Sequence, residues 1–249
     1  FNLSRNALLV NLFCCVITSP ATRDDVRESK LRGDPSWKGI PQNNYKYTII
    51  IIHNFRQSVK KYYRLGKKNS FPRPTECPSC KKKKGFLSKG FYDRYVIALT
   101  IRDVRIVIKR YKCKSCGKTI SILPSFLTPY RQFTIRYIYI SLILSHLANY
   151  TQTKTAGIMN TSYQNIQHWR KAFRIRASVI LTLLYSFQEL NRSLQFHPTK
   201  DKEKKALIGI ALYYHIQKKR YKDEFHFTPQ QTPAAFFLYF YNIYGKKLL

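Results

Sequence analysis

Apolar side chains follow two different spacings along the chain, and the spacing changes near residue 133. Before this point, short runs rich in β-branched and aromatic residues predict three antiparallel strands, at residues 86–99, 104–111 and 119–123. After it, apolar residues recur at helical spacing and predict three helices, at residues 135–148, 152–159 and 162–190. The sequence therefore predicts an α+β fold in which a small antiparallel sheet precedes an all-α region.

Two further apolar segments have no clear period. Residues 47–59 fit either a strand or a short helix, and residues 206–217 fit either a helix or a strand. Prolines and glycines separate the predicted units, and Pro124 and Pro129 bracket a linker between the sheet and the helices.

Four of the six cysteines form two C-x-x-C pairs, Cys77 with Cys80 and Cys113 with Cys116. Zinc prefers four such ligands in a tetrahedron, and a β-hairpin between the pairs would bring the two turns together. Because protein sulfurs fill all four positions, the predicted ion is a structural Zn²⁺. A redox pair or two disulfides are the alternatives, although redox motifs usually occur singly. Gly117, directly after the second pair, frees the backbone for the turn.

Lysines crowd the predicted metal site. We expect them to depress the pKa of the thiols and so to favour metal binding. These lysines follow or flank the two cysteine pairs: Lys81, Lys82, Lys83, Lys84, Lys112, Lys114 and Lys118.

Residues 153–173 have the spacing of two helices joined by a tight turn. Ala156 is small enough for a close helix crossing, and Asn160 tolerates the left-handed backbone that such a turn needs. Thr161 is predicted to cap the second helix, with Gln164 as its capping-box partner. The predicted small core consists of Ile158, Met159, Ile166 and Trp169.

The second of these helices carries side chains suited to reading base edges, because Gln and Asn pair with adenine and Arg pairs with guanine. The residues predicted on its exposed face are Tyr163, Gln164, Asn165, Gln167, His168, Arg170 and Lys171. Arg174 is predicted to contact phosphate. Basic residues interleaved with aromatic ones on the strands are predicted to form a further phosphate-binding face, and they are Arg94, Arg105, Lys109 and Arg110.

The chain has 45 Lys and Arg residues against 12 Asp and Glu, a formal net charge of +33. Such an excess repels itself unless a polyanion neutralises it, and DNA or RNA is the best candidate. An anionic membrane surface or codon bias are the competing explanations. The lysines are not confined to one helix face, so no membrane partner is predicted.

Three features together carry a family resemblance: Glu76-Cys-Pro-Ser-Cys80, the run from Arg110 to Thr119, and the two-helix segment that contains Trp169. Over residues 73–180 the chain resembles the amino-terminal module of bacterial insertion-sequence transposases. The resemblance implies a zinc ribbon followed by a helix-turn-helix that binds duplex DNA at the ends of mobile elements. It also implies a cytoplasmic, nucleoid-associated protein that acts as a homodimer or beside a separate catalytic subunit.

The chain departs from that family in its acidic residues. Transposases of that type usually carry an Asp-Asp-Glu site for two metal ions. After residue 173 the acidic residues are few and clustered, namely Glu189, Asp201, Glu203, Asp223 and Glu224. We therefore predict no enzyme activity and no small-molecule substrate. An RNA-binding ribbon protein and the remnant of a catalytic transposase remain as alternatives.

The predicted domain boundaries follow from these segments. The apolar run at residues 7–17 could pass for the core of a signal peptide, and the residues around it are treated as a doubtful N-terminal extension. The predicted divisions are 1–22 for that extension, 23–75 for a basic arm or linker, 76–128 for the four-cysteine zinc ribbon, 129–195 for the helix-turn-helix domain, and 196–249 for a basic aromatic C-terminal segment. The flanks are expected to be flexible.

Overall fold

The computed structural model describes residues 48–220 and 231–244, which belong to one compact unit that spans Asn44–Leu249. The described part has a four-stranded mixed sheet and seven α-helices, which confirms the predicted α+β class. The apolar run at residues 7–17 and the first part of the predicted arm lie outside the described residues. None of the described helices is both long enough and apolar enough to cross a membrane.

The sheet has the strand order β1-β4-β3-β2. Its strands are β1 (Thr48–His53), β2 (Phe86–Val96), β3 (Val104–Cys113) and β4 (Thr119–Pro124). β2 pairs with β3 and β3 pairs with β4, both antiparallel, so the three predicted strands are confirmed. β1 is a fourth strand, which pairs in parallel with β4 along its whole length. The first part of the ambiguous segment 47–59 is therefore a strand.

Helix α1 (Val59–Leu65) and the 3₁₀ turn Gly66–Lys68 cover one face of the sheet. Tyr62 is fully buried there, and its hydroxyl donates to the Val107 carbonyl at 2.9 Å. Its ring joins a cluster that includes Ile106 and Leu123. Residues 48–75 of the predicted arm are therefore part of the folded unit, because β1 is a strand of the sheet and the residues after it supply side chains to its core.

The remaining helices are α2 (Ile135–His146), α3 (Gln152–Met159), α4 (Tyr163–Tyr185), α5 (Gln188–Gln195), α6 (Lys202–Arg220) and α7 (Thr232–Tyr244). The first two predicted helices are confirmed. The third was predicted too long, since α4 ends at Tyr185 and the backbone becomes extended at Phe187. Phe187 is buried against the rings of Tyr213 and Tyr239, and this packing turns the chain. The ambiguous segment 206–217 is helical, within α6.

α4 is the central helix of the α-helical part. Its buried face, which includes Phe173, Ile180 and Leu184, packs against α6. A Cβ atom at Gly209 of α6 would lie only 2.6 Å from Leu184 Cδ1, so the absence of a side chain lets the two helices approach. Tyr139 of α2 donates to the Leu207 carbonyl at 3.0 Å and ties α2 to the same helix.

The sheet and the helices are joined through residues 125–134. The Thr134 amide donates to the Ile97 carbonyl at 3.0 Å, and the Thr134 hydroxyl caps α2 by accepting from the Tyr137 amide at 3.3 Å. The neighbouring Phe133 ring packs edge-on against the Trp169 ring of α4, with 4.9 Å between centroids. The end of β2 is therefore linked, through Phe133 and Thr134, to the helix that carries the predicted recognition residues.

Candidate metal centre and nucleic-acid interface

The two C-x-x-C turns have the same backbone hydrogen bonds. In each, the amide of the first cysteine, Cys77 or Cys113, donates at 3.0 Å to the carbonyl five residues later. The amide four residues later donates back to the carbonyl of that cysteine, at 2.9 Å or 3.0 Å. The donor residues, Lys81 and Gly117, both have a left-handed backbone, with φ of 59° and 70°. The predicted turn at Gly117 is therefore present, and Lys81 adopts the same conformation without being a glycine.

The four sulfurs lie close enough together to hold one metal ion. Cys77 Sγ is 3.7 Å from Cys116 Sγ, and Cys80 Sγ is 3.7 Å from Cys113 Sγ. All four sulfurs lie within 4.8 Å of one another. A tetrahedron with Zn–S bonds of about 2.3 Å has edges of about 3.8 Å, whereas a disulfide brings sulfurs to about 2 Å. The geometry therefore fits a metal ion such as zinc and does not fit two disulfides.

The thiols differ in how readily they ionise. The Cys116 amide donates to Cys113 and lowers the pKa of that thiol to about 6, against the effect of burial. Burial opposes ionisation of Cys77 too, yet hydrogen bonds from the Cys80 amide and from neighbouring thiols lower its pKa. The Lys82 amide favours ionisation of Cys80, but burial and the adjacent thiols outweigh it and raise its pKa to about 11. Backbone amides, and not the surrounding lysines as predicted, are thus the main groups that lower the pKa of Cys77 and Cys113. A bound cation would favour ionisation of Cys80 as well.

The turn between α3 and α4 has the predicted left-handed residue. Asn160 has φ 48° and ψ 58°, and the next amide, of Thr161, donates to the Ala156 carbonyl at 3.0 Å. The predicted cap of α4 was wrong by one residue. Ser162 is the N-cap, because its hydroxyl accepts from the Asn165 amide at 3.3 Å. Thr161 Oγ1 instead accepts from the side-chain amide of Asn165 at 3.0 Å.

Three of the four residues predicted to fill the core between α3 and α4 are buried: Met159, Ile166 and Trp169. Ala156 is buried as well. Ile158 is 51% exposed, so its prediction was wrong. The inward face of α3 is set by Thr155, Ala156 and Met159, and this spacing leaves Ile158 on the outer side of the helix.

Most residues predicted to read bases lie together on the exposed face of α4. Those exposed are Tyr163, Gln164, Gln167, His168 and Lys171. Asn165 and Arg170 are only half-buried, and the Asn165 amide is already bonded to Thr161. Arg174 is exposed but forms an ion pair with Glu203, with 3.0 Å between Nε and Oε1. A phosphate at Arg174 would have to compete with that carboxylate.

The four basic residues predicted on the strands lie on both faces of the sheet. Arg94 lies opposite Ile106 in the strand register, and Arg110 is four residues further along β3, so both share the face that packs on the core. The Arg94 guanidinium donates to the backbone carbonyls of Thr128 and Arg131. Arg94 therefore holds the segment of residues 128–131, which leads into α2, against the sheet.

Arg105 and Lys109 lie on the opposite face of β3. Arg105 is exposed and lies opposite Tyr95. Lys109 donates to Ser88 Oγ at 2.6 Å, and its ammonium group lies 4.1 Å from the centre of the Phe91 ring. This face combines cations with aromatic rings, as predicted. Only two of the four predicted basic residues, Arg105 and Lys109, lie on it.

Two arginines absent from the predicted site set hold the helix pair in place. Arg102, in the loop after β2, donates to the carbonyls of Met159 and Asn160 at 3.0 Å and 3.3 Å. Arg131 donates to His168 Nε2 at 3.0 Å. These contacts join residues far apart in the sequence, so no local pattern indicates them.

A family model described as Domain of unknown function (DUF6431) matches residues 77–169. The match begins at the first cysteine of the metal centre and ends at Trp169. It covers less than half of the chain and includes all four cysteines, the turn at Asn160 and the start of α4. No curated protein and no solved structure shows a significant match to the chain.

Proposed function

We propose that the protein binds duplex DNA and that the first half of α4 reads base edges in the major groove. The observation that carries this proposal is the exposed face formed by Gln164, Gln167, His168 and Lys171. Two amides and a cation that project from one helical face, just after a tight turn, match the chemistry of the major groove. The same face is anchored from behind by the buried side chains of Ile166 and Trp169.

The charge of the chain supports a polyanionic partner. A net charge of +33 gives a long-range attraction to phosphate, and release of condensed counterions adds to the binding free energy. Arg105 and Lys109 on the outer face of β3 are proposed to contact the DNA backbone. Arg94 and Arg110, on the face toward the core, are proposed to act mainly by supporting the structure.

The metal centre is proposed to hold a structural zinc ion. Four cysteine sulfurs fill a tetrahedral site and leave no position for a catalytic water. Cys77 and Cys80 lie in the segment before β2, and Cys113 ends β3, so the ion would fix one end of the sheet. The other end of β2 leads to Arg102, which contacts the turn before α4. Zinc would therefore support the recognition helix through the sheet.

The finer proposal is a DNA-binding protein of the insertion-sequence transposase type, which recognises the ends of a mobile element. The two cysteine turns followed by a helix pair of this spacing support it. Strand transfer is assigned to a separate catalytic subunit, and pairing of two copies would let two recognition helices read one element end.

The test is selection of a preferred duplex from a random library by the zinc-loaded protein, followed by titration of that duplex. Replacing Gln164 and Gln167 together by Ala is expected to weaken binding to the selected site by about tenfold or more, because each bidentate contact contributes roughly 1–3 kcal/mol. Binding to random duplex is expected to change little. The matched control, Gln188→Ala on the exposed surface of α5, is expected to behave as wild type.

RNA is the competing partner, and the same titration separates it. Duplex RNA and single-stranded RNA of equal length are added as competitors at fixed salt, because phosphate contacts depend strongly on ionic strength. Stronger competition by RNA than by duplex DNA, or no selected DNA sequence, would contradict the proposal.

A further inference from the structure

A cleft with a strongly basic lining lies between the second half of α4 and the start of α6. Its volume is about 270 Å³. α4 contributes the hydroxyl side chains Ser178, Thr182 and Tyr185. Lys202 and Lys205 come from the start of α6, and Lys200 lies two residues before it. Three ammonium groups around one cleft favour an anionic ligand.

The carboxylates nearest in sequence do not neutralise these lysines. Asp201 accepts from the backbone amides of Glu203 and Lys204 at 2.8 Å and 3.0 Å. Glu203 is paired with Arg174. Within residues 48–220 and 231–244, no carboxylate lies within 4.0 Å of the three lysine ammonium groups of the cleft.

Hydroxyl groups add hydrogen-bonding capacity to the cleft. Thr182 already donates to the Ser178 carbonyl at 3.1 Å, so the Ser178 and Tyr185 hydroxyls are the proposed donors to an anion. A phosphate group accepts from ammonium and hydroxyl donors alike. The lining therefore has the chemistry of a phosphate site.

The cleft lies on the same face of α4 as the proposed recognition residues. Gln164, Gln167, Lys171, Ser178, Thr182 and Tyr185 recur at spacings of three, four and seven residues, which keeps them on one side of a helix. Gln167 and Thr182 are 15 residues apart, or about 22 Å along the axis. The major groove is about 12 Å wide, so a helix that enters it with its first half would bring its second half to the phosphates.

We infer that the cleft formed by Lys200, Lys202 and Lys205 with Ser178 and Tyr185 binds backbone phosphate of the same duplex that the first half of α4 reads. This inference rests on the proposed function and adds a phosphate contact outside the base edges that the first half of α4 reads. The cleft adds affinity without sequence preference, because phosphate is the same at every base pair.

The test compares a triple variant, Lys200→Gln with Lys202→Gln and Lys205→Gln, with a control of equal charge change. The control carries Lys60→Gln, Lys61→Gln and Lys68→Gln, all exposed lysines. Binding of each to a fluorescein-labelled 30-base-pair duplex of mixed sequence is measured from about 50 to about 200 mM NaCl. The slope of log K against log salt is expected to fall by about 2 in the cleft variant and by less than 1 in the control.

The outcomes separate the two proposals. A wild-type protein that does not bind duplex overturns both. A wild type that binds, with an unchanged slope in the cleft variant or an equal fall in the control, overturns the cleft alone. Calorimetry with inorganic pyrophosphate is the second arm. Pyrophosphate binding that the cleft variant abolishes, with an unchanged DNA slope, would make the ligand a free anion and contradict the inference.

Discussion

At the scale of single residues, the four thiols are organised by the backbone that surrounds them. Backbone amides of each turn donate to the sulfur of its first cysteine, Cys77 or Cys113. The left-handed residues Lys81 and Gly117 let the chain bend back after each cysteine pair. Cys77 and Cys113 have no exposed surface, whereas Cys80 and Cys116 are half-buried. A metal would therefore enter from the side of the second cysteine of each pair.

Replacing Cys113 by Ser is expected to abolish stoichiometric zinc binding, because three thiolates and a hydroxyl bind zinc far more weakly than four thiolates. The measurement is zinc content by atomic emission after dialysis, together with the thermal midpoint before and after chelation. The double control, Cys14→Ser with Cys15→Ser, makes the same chemical change at the two cysteines that belong to neither C-x-x-C pair. Full zinc content in Cys113→Ser, or loss of zinc in the control, would contradict the assignment.

Local signals in the sequence predicted two features that the structure shows. The paired spacing indicated that four cysteines come together, and the need for a left-handed residue indicated Asn160. The N-cap was misassigned by one residue because Thr161 and Ser162 are both good capping residues, and only the backbone conformation selects Ser162. The cause of the thiol pKa shifts was also misassigned, because amide directions are not encoded in a charge pattern.

At the scale of elements, the loop between β2 and β3 supports the helix pair. Arg102 reaches the last carbonyls of α3, which have no partners within the helix. A positive charge at a helix C-terminus is also favoured by the helix dipole. The loop thus stabilises α3 and fixes the direction in which α4 starts.

Replacing Arg102 by Met is expected to lower the free energy of unfolding by about 1 kcal/mol, since two hydrogen bonds in a partly exposed position are lost. Faster amide hydrogen exchange is expected in the last turn of α3. Arg105→Met, on the exposed face of β3, is the control and is expected to change neither quantity. Equal effects of the two substitutions would mean that the loss of charge, and not the contact to α3, is responsible.

Element types were predictable where the contacts are local, and less so elsewhere. The periodicity of residues 135–148 and 152–159 correctly predicted α2 and α3, since a helix repeats within a few residues. The pairing of β1 with β4 was not predicted because it joins residues about 70 positions apart. The break at Phe187 likewise depends on rings contributed by α6 and α7.

At the scale of the whole molecule, His146 lies where α2, α4 and α6 meet. It is only 5% exposed, and its pKa is lowered to about 4, with burial as the largest cause. The cations Arg170, Arg174 and Lys204 contribute to this lowering of the pKa, whereas Asp201 opposes it. Glu203 Oε2 is 3.9 Å from His146 Nδ1, which is too far for a hydrogen bond. The carboxylate therefore does not offset the effect of burial on the pKa of His146. The neutral ring is therefore part of the folded core.

Stability is expected to fall as the pH drops from about 6.5 toward 4, because the unfolded chain then binds a proton at His146 that the folded chain does not. Above pH 6.5 this contribution to the pH dependence vanishes. The loss approaches about 3 kcal/mol near pH 4.

Chemical denaturation of His146→Leu at several pH values measures this effect. Compared with wild type, the variant is expected to lose less stability on acidification, while the exposed control His215→Leu follows wild type. Release of a bound metal ion at low pH would affect all three proteins alike, so the difference between the curves isolates His146. Parallel curves for His146→Leu and wild type would show that the ring is not kept neutral.

The parallel pairing of β1 with β4 limits how short a stable recombinant fragment of the chain can be. A recombinant fragment limited to residues 77–169 would lack β1 and Tyr62, so the outer backbone groups of β4 would be unpaired and the core beneath Ile106 and Leu123 would open to water. The same fragment would end inside α4, before the buried residue Phe173. A soluble fragment that keeps the metal centre therefore has to begin upstream of Thr48 and continue through α6.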